Sequence, residues 1–326
     1  MVDVSVVIPT RDRAPVLEWT LQGLCAQETS ASFEVFVVDD GSTDETRAVV
    51  EALGRRAPIP VSLLRQDGAG PAAARNRGIA SAEAPVCLFV DDDTRPRVDL
   101  VERHARFHRR RPEPEAALVG RVEWAPETRP TPFMHWLHTG IQFDFAQIRD
   151  PDDVPGSCFY TANVSAKTAF LRVHGGFDEA FPAASFEDIE LGLRLREVGM
   201  RLRYDADAVV DHWHPVDLAF VLRRMRVAGR SAVLLHERFP DWPLPRPPGI
   251  RHRAKATILS ALGAVPHQPW RLRRATWHFL CHEAFREGCW GAEPADGELV
   301  RIGRRLARRA ARDPATAKPR SEPPGP

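Results

Sequence analysis

Short apolar runs alternate with amphipathic stretches through the first hundred residues. Val4-Ser5-Val6-Val7-Ile8 has the look of a buried strand, closed by Pro9-Thr10-Arg11. A helix follows, with Pro15 early and Val16, Leu17, Thr20, Leu21 and Leu24 along one face. The alternation continues through strand 33–38, helix 45–53, strand 61–64, helix 71–80 and strand 86–90, with a further helix near 99–110. Strands and helices in this order predict an α/β fold whose sheet is mostly parallel and whose crossovers are right-handed. Beyond Pro215 the pattern turns helical, at 217–236, 270–286 and a basic stretch at 298–312. The expected organisation is an α/β domain over 1–215, a helical C-terminal region over 216–312 and a disordered, proline-rich tail at 313–326. The segment 120–155 has no interpretable period.

Two strand ends carry acids. Asp91-Asp92-Asp93 directly follows the 86–90 run, and Asp39-Asp40 follows the 33–38 run. In open α/β sheets, ligands bind outside this carboxyl edge. Three adjacent carboxylates repel one another, so the triplet is costly unless something positive sits among it. A hard divalent cation, Mn²⁺ or Mg²⁺, shared with a phosphate-bearing ligand fits that need. The competing reading is a solvated acidic turn that caps the next helix. At the first acidic pair, Ser42 and Glu45 have capping-box spacing and Gly41 suits a tight turn. A single acid would satisfy the helix dipole there, so a pair leaves one carboxylate for hydrogen bonds to a nucleoside.

Two further segments carry chemistry. The glycine loop and helix start of residues 68–78 form an anion-binding pattern, with Arg75 about one turn in, able to reach a phosphate or an acid. Residues 185–199 form an amphipathic helix whose start contains Glu187-Asp188. Ser185 and Asp188 also have capping-box spacing, so a purely structural role for Asp188 stands beside a chemical one.

Taken in order, Val4 to Arg11, Val37 to Asp44, Gly70 to Gly78, Asp91-Asp92-Asp93 and Phe186 to Leu195 resemble the successive signatures of the family 2 glycosyltransferases, over roughly residues 2–215. The resemblance implies a GT-A fold, Rossmann-like, with a mostly parallel sheet flanked by helices and here a helical C-terminal extension. It implies inverting transfer of a sugar from a nucleoside diphosphate donor, a UDP-sugar by family habit, to an acceptor hydroxyl in cell-surface polysaccharide or glycoconjugate synthesis. By that likeness Pro9, Thr10, Arg11, Asp39 and Asp40 hold the nucleoside and Arg75 supports the same half of the donor. Asp91, Asp92 and Asp93 form the DxD segment, with Asp93 a metal ligand and Asp91 against ribose or metal-bound water. Asp188 would be the general base. His212 in Asp211-His212-Trp213-His214 would complete the metal site, matching better than His214. Asn163 fits the family's acceptor-side strand, and Trp124, Trp136, Phe143 and Phe145 are candidates for stacking on acceptor sugars or for ordinary core.

Composition narrows the setting. The formal net charge is +1, but residues 251–326 hold 15 Lys and Arg against 7 Asp and Glu, leaving 30 against 37 elsewhere. A basic end beside an acidic body fits an anionic membrane surface or a phosphate-bearing acceptor, and equally a solvated helix. No recognition motif supports nucleic acid as a partner. Five dispersed cysteines without CxxC spacing point to a reducing compartment. Met1-Val2-Asp3 leads straight into a strand, so no leader is expected, and the apolar stretch at 258–265 is too short to span a bilayer. The expected location is cytoplasmic, with peripheral contact at the inner face of the membrane as an option, and the acceptor a saccharide or lipid-linked saccharide. The sequon Asn163-Val164-Ser165 would go unused there. The main rival is a nucleotidyltransferase or another metal-dependent phosphate enzyme. Its first turn would be glycine-rich and basic, whereas residues 9–13 are proline-broken and lack glycine.

Overall fold

The computed structural model describes residues 2–247 and 269–291, which form two compact units. The first comprises residues 2–129 and 138–214, and the second residues 130–137 together with the described part of the chain after 214.

The first unit is built on one sheet of eight strands: β1 (Val4–Thr10), β2 (Phe33–Asp39), β3 (Val61–Arg65), β4 (Val86–Val90), β5 (Thr94–Pro96), β6 (Ala116–Trp124), β7 (Asn163–Lys167) and β8 (Arg201–His212). Their order is β3-β2-β1-β4-β7-β6-β8-β5. The first four strands of that order are mutually parallel, as the alternation of strand and helix predicts. The sheet then turns mixed: β7 runs antiparallel to both β4 and β6, β8 is parallel to β6, and β5 is antiparallel to β8.

Helices cover both faces. On one face, Leu17, Leu21 and Leu24 of α1 (Ala14–Cys25), Val50 and Leu53 of α2 (Thr46–Gly54), and Leu100, Val101 and Ala105 of α4 (Leu100–Arg110) pack on Val4, Val6, Ile8, Val35, Val37 and Leu88. On the other, α3 (Pro71–Ser81), α6 (Thr168–Val173) and α7 (Glu187–Glu197) cover Val7, Val38, Cys87 and Phe89. Burial on both faces explains why the strands are continuous apolar runs rather than alternating ones. It also leaves the carboxyl edge as the place where polar loops gather.

A buried polar cluster joins α4 to the mixed half of the sheet. His104 Nδ1 lies 2.7 Å from Ser165 Oγ and its Nε2 3.0 Å from Asn163 Oδ1, while His108 Nε2 lies 2.8 Å from the same hydroxyl. The Asn163 amide donates to the carbonyls of Arg121 and Ala208, at 3.0 and 2.8 Å. These carbonyls flank a register break: Gly120 pairs with Asp205, but Arg121 pairs with Val209. A Cβ at Gly120 would lie 2.3 Å from Asn163 Nδ2, so the break requires glycine there. Asn163 is therefore fully buried and holds this break, and its sequon is inaccessible.

In the second unit, α5 (Pro132–Leu137), α8 (Leu218–Arg238) and α9 (Trp270–Cys289) are described, the last two matching the expected helices at 217–236 and 270–286. α8 and α9 cross closely enough that a Cβ at Gly229 would meet the Phe285 carbonyl at 2.1 Å. Arg226 pairs with Glu287 at 2.7 Å beside that crossing. The expected basic helix at 298–312, the tail and the apolar stretch at 258–265 lie outside the described residues. Among the described residues, no helix is long and apolar enough to cross a membrane.

Burial pushes the His104 imidazole down to about 4 and holds His108 well below its ordinary value, with Lys167 adding to the effect on His108. Both rings are thus neutral in the folded chain at pH 7. In the unfolded chain both bind protons below about 6.5, whereas folded His104 stays neutral until about 4 and folded His108 resists protonation as well, so stability falls as pH drops below about 6.5. The His104 contribution is roughly 3 kcal/mol. Urea unfolding at pH 7 and pH 4.5 should show this loss, and His104→Gln should reduce it; a pH-independent difference between the two proteins would contradict the assignment.

Candidate functional site

The carboxyl ends of β1, β2 and β4, the start of α7 and the end of β8 supply the polar groups of one site. Short loops are locked there by side-chain caps. The Asp12 N–H donates to Ser42 Oγ (2.9 Å) and the Thr43 N–H returns to Asp12 Oδ1 (2.7 Å). Asp44 accepts from the Ala14 and Thr46 N–H groups, at 2.9 and 3.0 Å. The capping-box expectation for Ser42 and Glu45 is therefore corrected: Ser42 ties two loops together, and Asp44 serves the start of α2. Asp39 Oδ1 accepts from the Ser42 N–H (2.7 Å), whereas its buried Oδ2 has no hydrogen-bond partner among the described residues. Asp40 is committed to the glycine loop, accepting from Gln66 Nε2 and the Ala69 N–H at 2.7 Å each, and from the Gly70 N–H at 3.0 Å. Arg11 is exposed, 3.8 Å from Asp40, and Pro9 is half-buried in β1.

The acid triplet splits three ways. Asp91, the most exposed, accepts from Arg75 Nη2 at 3.0 Å. Asp92 turns inward: Thr10 Oγ1 donates to its Oδ2 (2.8 Å), and Arg13 Nε lies 3.3 Å from its Oδ1. Asp93 Oδ2 receives Arg13 Nη2 at 2.7 Å and faces His214 Nδ1 at 2.9 Å and His212 Nε2 at 3.3 Å. Burial raises the Asp92 carboxyl above the usual range against the pull of Arg13. For Asp93, burial also opposes ionisation, but His212 and Arg13 outweigh it and hold the carboxyl well below the usual range.

Asp93, His212 and His214 offer one ligand atom each, all within 4.8 Å of one another. A carboxylate with two imidazoles suits a divalent first-row transition ion better than an all-oxygen ion. Both histidines meet Asp93, so the geometry brings His212 and His214 alike to this carboxylate. Asp91 does not belong to this cluster. The rings are held by a stack: His138 on Trp124 (4.7 Å between centroids), Trp124 on His212 (5.2 Å) and His212 on His214 (5.5 Å). Gln142 Nε2 lies 3.4 Å from His212 Nδ1, leaving Nε2 toward Asp93. Trp124 thus packs against the cluster of Asp93, His212 and His214 through His212, and Trp136 is buried in the second unit. Phe143 and Phe145 are half-buried, with Tyr160 edge-on to both.

Arg75 joins the triplet to α7. Its Nη1 donates to Glu187 Oε1 (2.8 Å), with the guanidinium buried over the Phe177 ring. The neighbouring Asp188 is half-buried and accepts from the Ile189 N–H (2.8 Å). Burial raises both the Glu187 and the Asp188 carboxyls, and each acid also feels a nearby negative charge. Phe186, just before this pair, has φ +69°, a costly conformation for a bulky residue and one that concentrates at functional sites. Ser185 does not cap α7: no side chain caps that helix start. Sequence reasoning assigns no role to Arg13, Gln142 or Glu187, although it names the Glu187-Asp188 pair. Arg13 has the look of a loop arginine until the fold brings it to residues 80 positions away, although an arginine three residues past the end of β1 was the available signal.

Comparison with known proteins gives a consistent picture. A model described as glycosyl transferase family 2 matches residues 5–165. The validoxylamine A glucosyltransferase of Streptomyces hygroscopicus subsp. jinggangensis is 35% identical over 228 residues, which are 60% of this chain and 52% of that one. The pre-mycofactocin glycosyltransferase of Mycobacterium tuberculosis is 32% identical over 243 residues, 73% of this chain and 48% of that one. The chain thus spans about half the length of the curated relatives it matches. Among solved structures, a mannosyltransferase from Pyrobaculum calidifontis in complex with GDP-Man and Mn²⁺ superimposes with a TM-score of 0.60 at 20% identity, covering 89% of this chain and 88% of that one. S. aureus TarS 1-349 in complex with UDP gives 0.54 at 19% identity, covering 88% and 90%. Both share the GT-A fold with this chain.

Arg75 pairs with both the buried Glu187 and the half-buried Asp91, so removing its charge leaves Glu187 buried without its ion pair. Arg75→Met should cost about 3–5 kcal/mol in urea unfolding, and adding Glu187→Gln should recover much of that. A single variant as stable as the parent would show that the pair carries no coupling.

Proposed function

This chain belongs to glycosyl transferase family 2, and from that premise we propose that it transfers a sugar from a nucleoside diphosphate donor to an acceptor hydroxyl with inversion at the anomeric carbon. The observation that carries the reading is the convergence of Asp93, His212 and His214 at one sheet edge, with the carboxyls of Glu187 and Asp188 joined to that edge through Arg75 and Asp91.

The donor's nucleoside lies at the ends of β1 and β2, where Pro9, Thr10 and Arg11 line the entrance. Asp39 Oδ2, which has no hydrogen bond among the described residues and lies 3.8 Å from Arg65 Nε, is available to a base or ribose N–H or O–H there. Asp40 acts one step back by shaping the glycine loop, and Arg75 steadies Asp91 beside the donor. Asp92 orients Thr10 and Arg13 rather than reaching out. A divalent ion held by Asp93, His212 and His214, Mn²⁺ in preference to Mg²⁺ given two imidazoles, would neutralise the charge that develops on the departing diphosphate.

Asp188 is the general base. Glu187 is committed to Arg75, while the raised, half-buried Asp188 carboxylate is a better proton acceptor than a solvated one. As the acceptor oxygen bonds to the anomeric carbon, its proton passes to Asp188 and the bond from that carbon to the phosphate oxygen breaks. The nucleoside diphosphate leaves with the electron pair. One displacement inverts the centre, and no protein nucleophile is required.

Relatives named for glucosyl transfer and neighbours bound to GDP-Man or UDP support the donor class. UDP remains the default nucleotide by family habit. We assign residues 1–215 as the catalytic domain, the acceptor as a saccharide or lipid-linked saccharide of the cell surface, and peripheral membrane contact to the basic sequence after residue 251. The site, a cytoplasmic one on this reading, needs no membrane-spanning helix.

Asp188→Asn should lower turnover by about 10²–10⁴-fold and leave nucleotide binding nearly intact. Asp93→Asn should instead weaken Mn²⁺-dependent nucleotide binding. Calorimetric titration and steady-state kinetics separate the two, and near-normal turnover in Asp188→Asn would refute its role as base.

A further inference from the structure

The acid triplet needs a positive partner, and the chain supplies one that uses the oxygen a metal would use. Arg13 Nη2 lies 2.7 Å from Asp93 Oδ2 and 3.4 Å from His214 Nδ1, two of the three prospective ligand atoms. Its Nε lies 3.3 Å from Asp92 Oδ1. The Arg13 side chain keeps 32% of its surface exposed, against 10% for Asp92 and 8% for Asp93, so it closes the open side of the cluster. A guanidinium and a divalent ion on that one oxygen repel each other and compete for its electron density, so each weakens the other's hold on it.

We propose that Arg13 is a resident counter-ion that holds Asp93 in the metal-free protein, yields it when a divalent ion enters, and turns its freed N–H groups to the phosphates arriving with that ion. The inference rests on the reading of Asp93, His212 and His214 as the metal site of a nucleoside diphosphate enzyme. The hydrogen-bonded loop that carries Arg13 and its contact to Asp92 keep the side chain at the entrance while its Nη2 group changes partner. Displacing Arg13 is a penalty on metal binding alone. A diphosphate offsets that penalty by giving the guanidinium a bidentate anionic partner. Metal and diphosphate should therefore bind synergistically, each raising the affinity of the other by the same factor. The consequence is a site that assembles its ion only together with a donor, and holds its acids neutralised between turnovers.

The test is Mn²⁺ binding, followed by loss of the paramagnetic resonance of the hydrated ion, with Mn²⁺ alone and with UDP or GDP. Arg13→Gln should bind Mn²⁺ alone at least about tenfold tighter than the parent, and the tightening by nucleotide should shrink by a similar factor. Arg13→Lys, which keeps the charge, should stay close to the parent. Without metal, Arg13→Gln should melt at a lower temperature, a difference that closes when Mn²⁺ is added. Arg13→Met tests the same point should the glutamine variant fail to fold. If Mn²⁺ binds the parent but neutral variants bind it no tighter, the counter-ion role is overturned while the metal site stands. If the parent binds no Mn²⁺ with either nucleotide, the metal reading and this inference fall together.

Discussion

Everything at the sheet edge follows from the burial of Asp92 and Asp93 at the end of β4. Taking a carboxylate out of water costs several kcal/mol unless a cation and hydrogen bonds replace the solvent. Here Arg13 reaches both acids, Thr10 donates to Asp92, and two imidazoles close on Asp93. Each of these partners comes from a different element, so satisfying the triplet fixes the end of β1, the loop before α1 and the end of β8 at once. The Trp213 N–H donating to the Asp93 carbonyl at 2.7 Å adds a main-chain tie to the same point.

A second arginine repeats the device on the other flank. Arg75 binds Asp91 on one side and Glu187 on the other, so the start of α7 is held by charge rather than by a conventional cap. The strained Phe186 and the raised carboxyls beside it are the local cost of presenting Asp188 at that place. Two arginines thus divide the work: Arg75 is buried between two acids, whereas Arg13 is partly exposed and shares its acids with a prospective ligand set. That difference in exposure separates a positioning cation from one able to exchange partners.

Much of the parallel half of the sheet is legible in sequence because its strands are apolar runs buried on both faces. The run 86–90 matches β4 residue for residue, and the helix at 71–80 differs from α3 by one residue. β6 escapes such reading because Gly120 and Arg121 interrupt it at a register break that makes sense only beside Asn163. The mixed half is illegible for the same reason, since the direction of β7 depends on partners from distant segments. In the site, acids at strand ends are visible in sequence, but their assignments are not. Asp40 has the same context as Asp39, yet only the folded glycine loop shows it accepting from Gln66, Ala69 and Gly70. Ser42 fits a local capping pattern, and a loop thirty residues away claims it instead. Local patterns identify which residues are chemically capable; tertiary partners decide which are occupied.

The claim at the centre of this account is that Asp93, His212 and His214 are the ligands of a divalent ion. Anomalous diffraction at the manganese edge, from crystals grown with Mn²⁺ and a nucleoside diphosphate, tests it most directly. The account predicts a single strong peak about 2.0–2.3 Å from an Asp93 carboxylate oxygen and from both imidazoles, with diphosphate oxygens completing the shell. A peak bound elsewhere on the triplet, or nucleotide bound with Arg13 still on Asp93 and no metal between them, would contradict it.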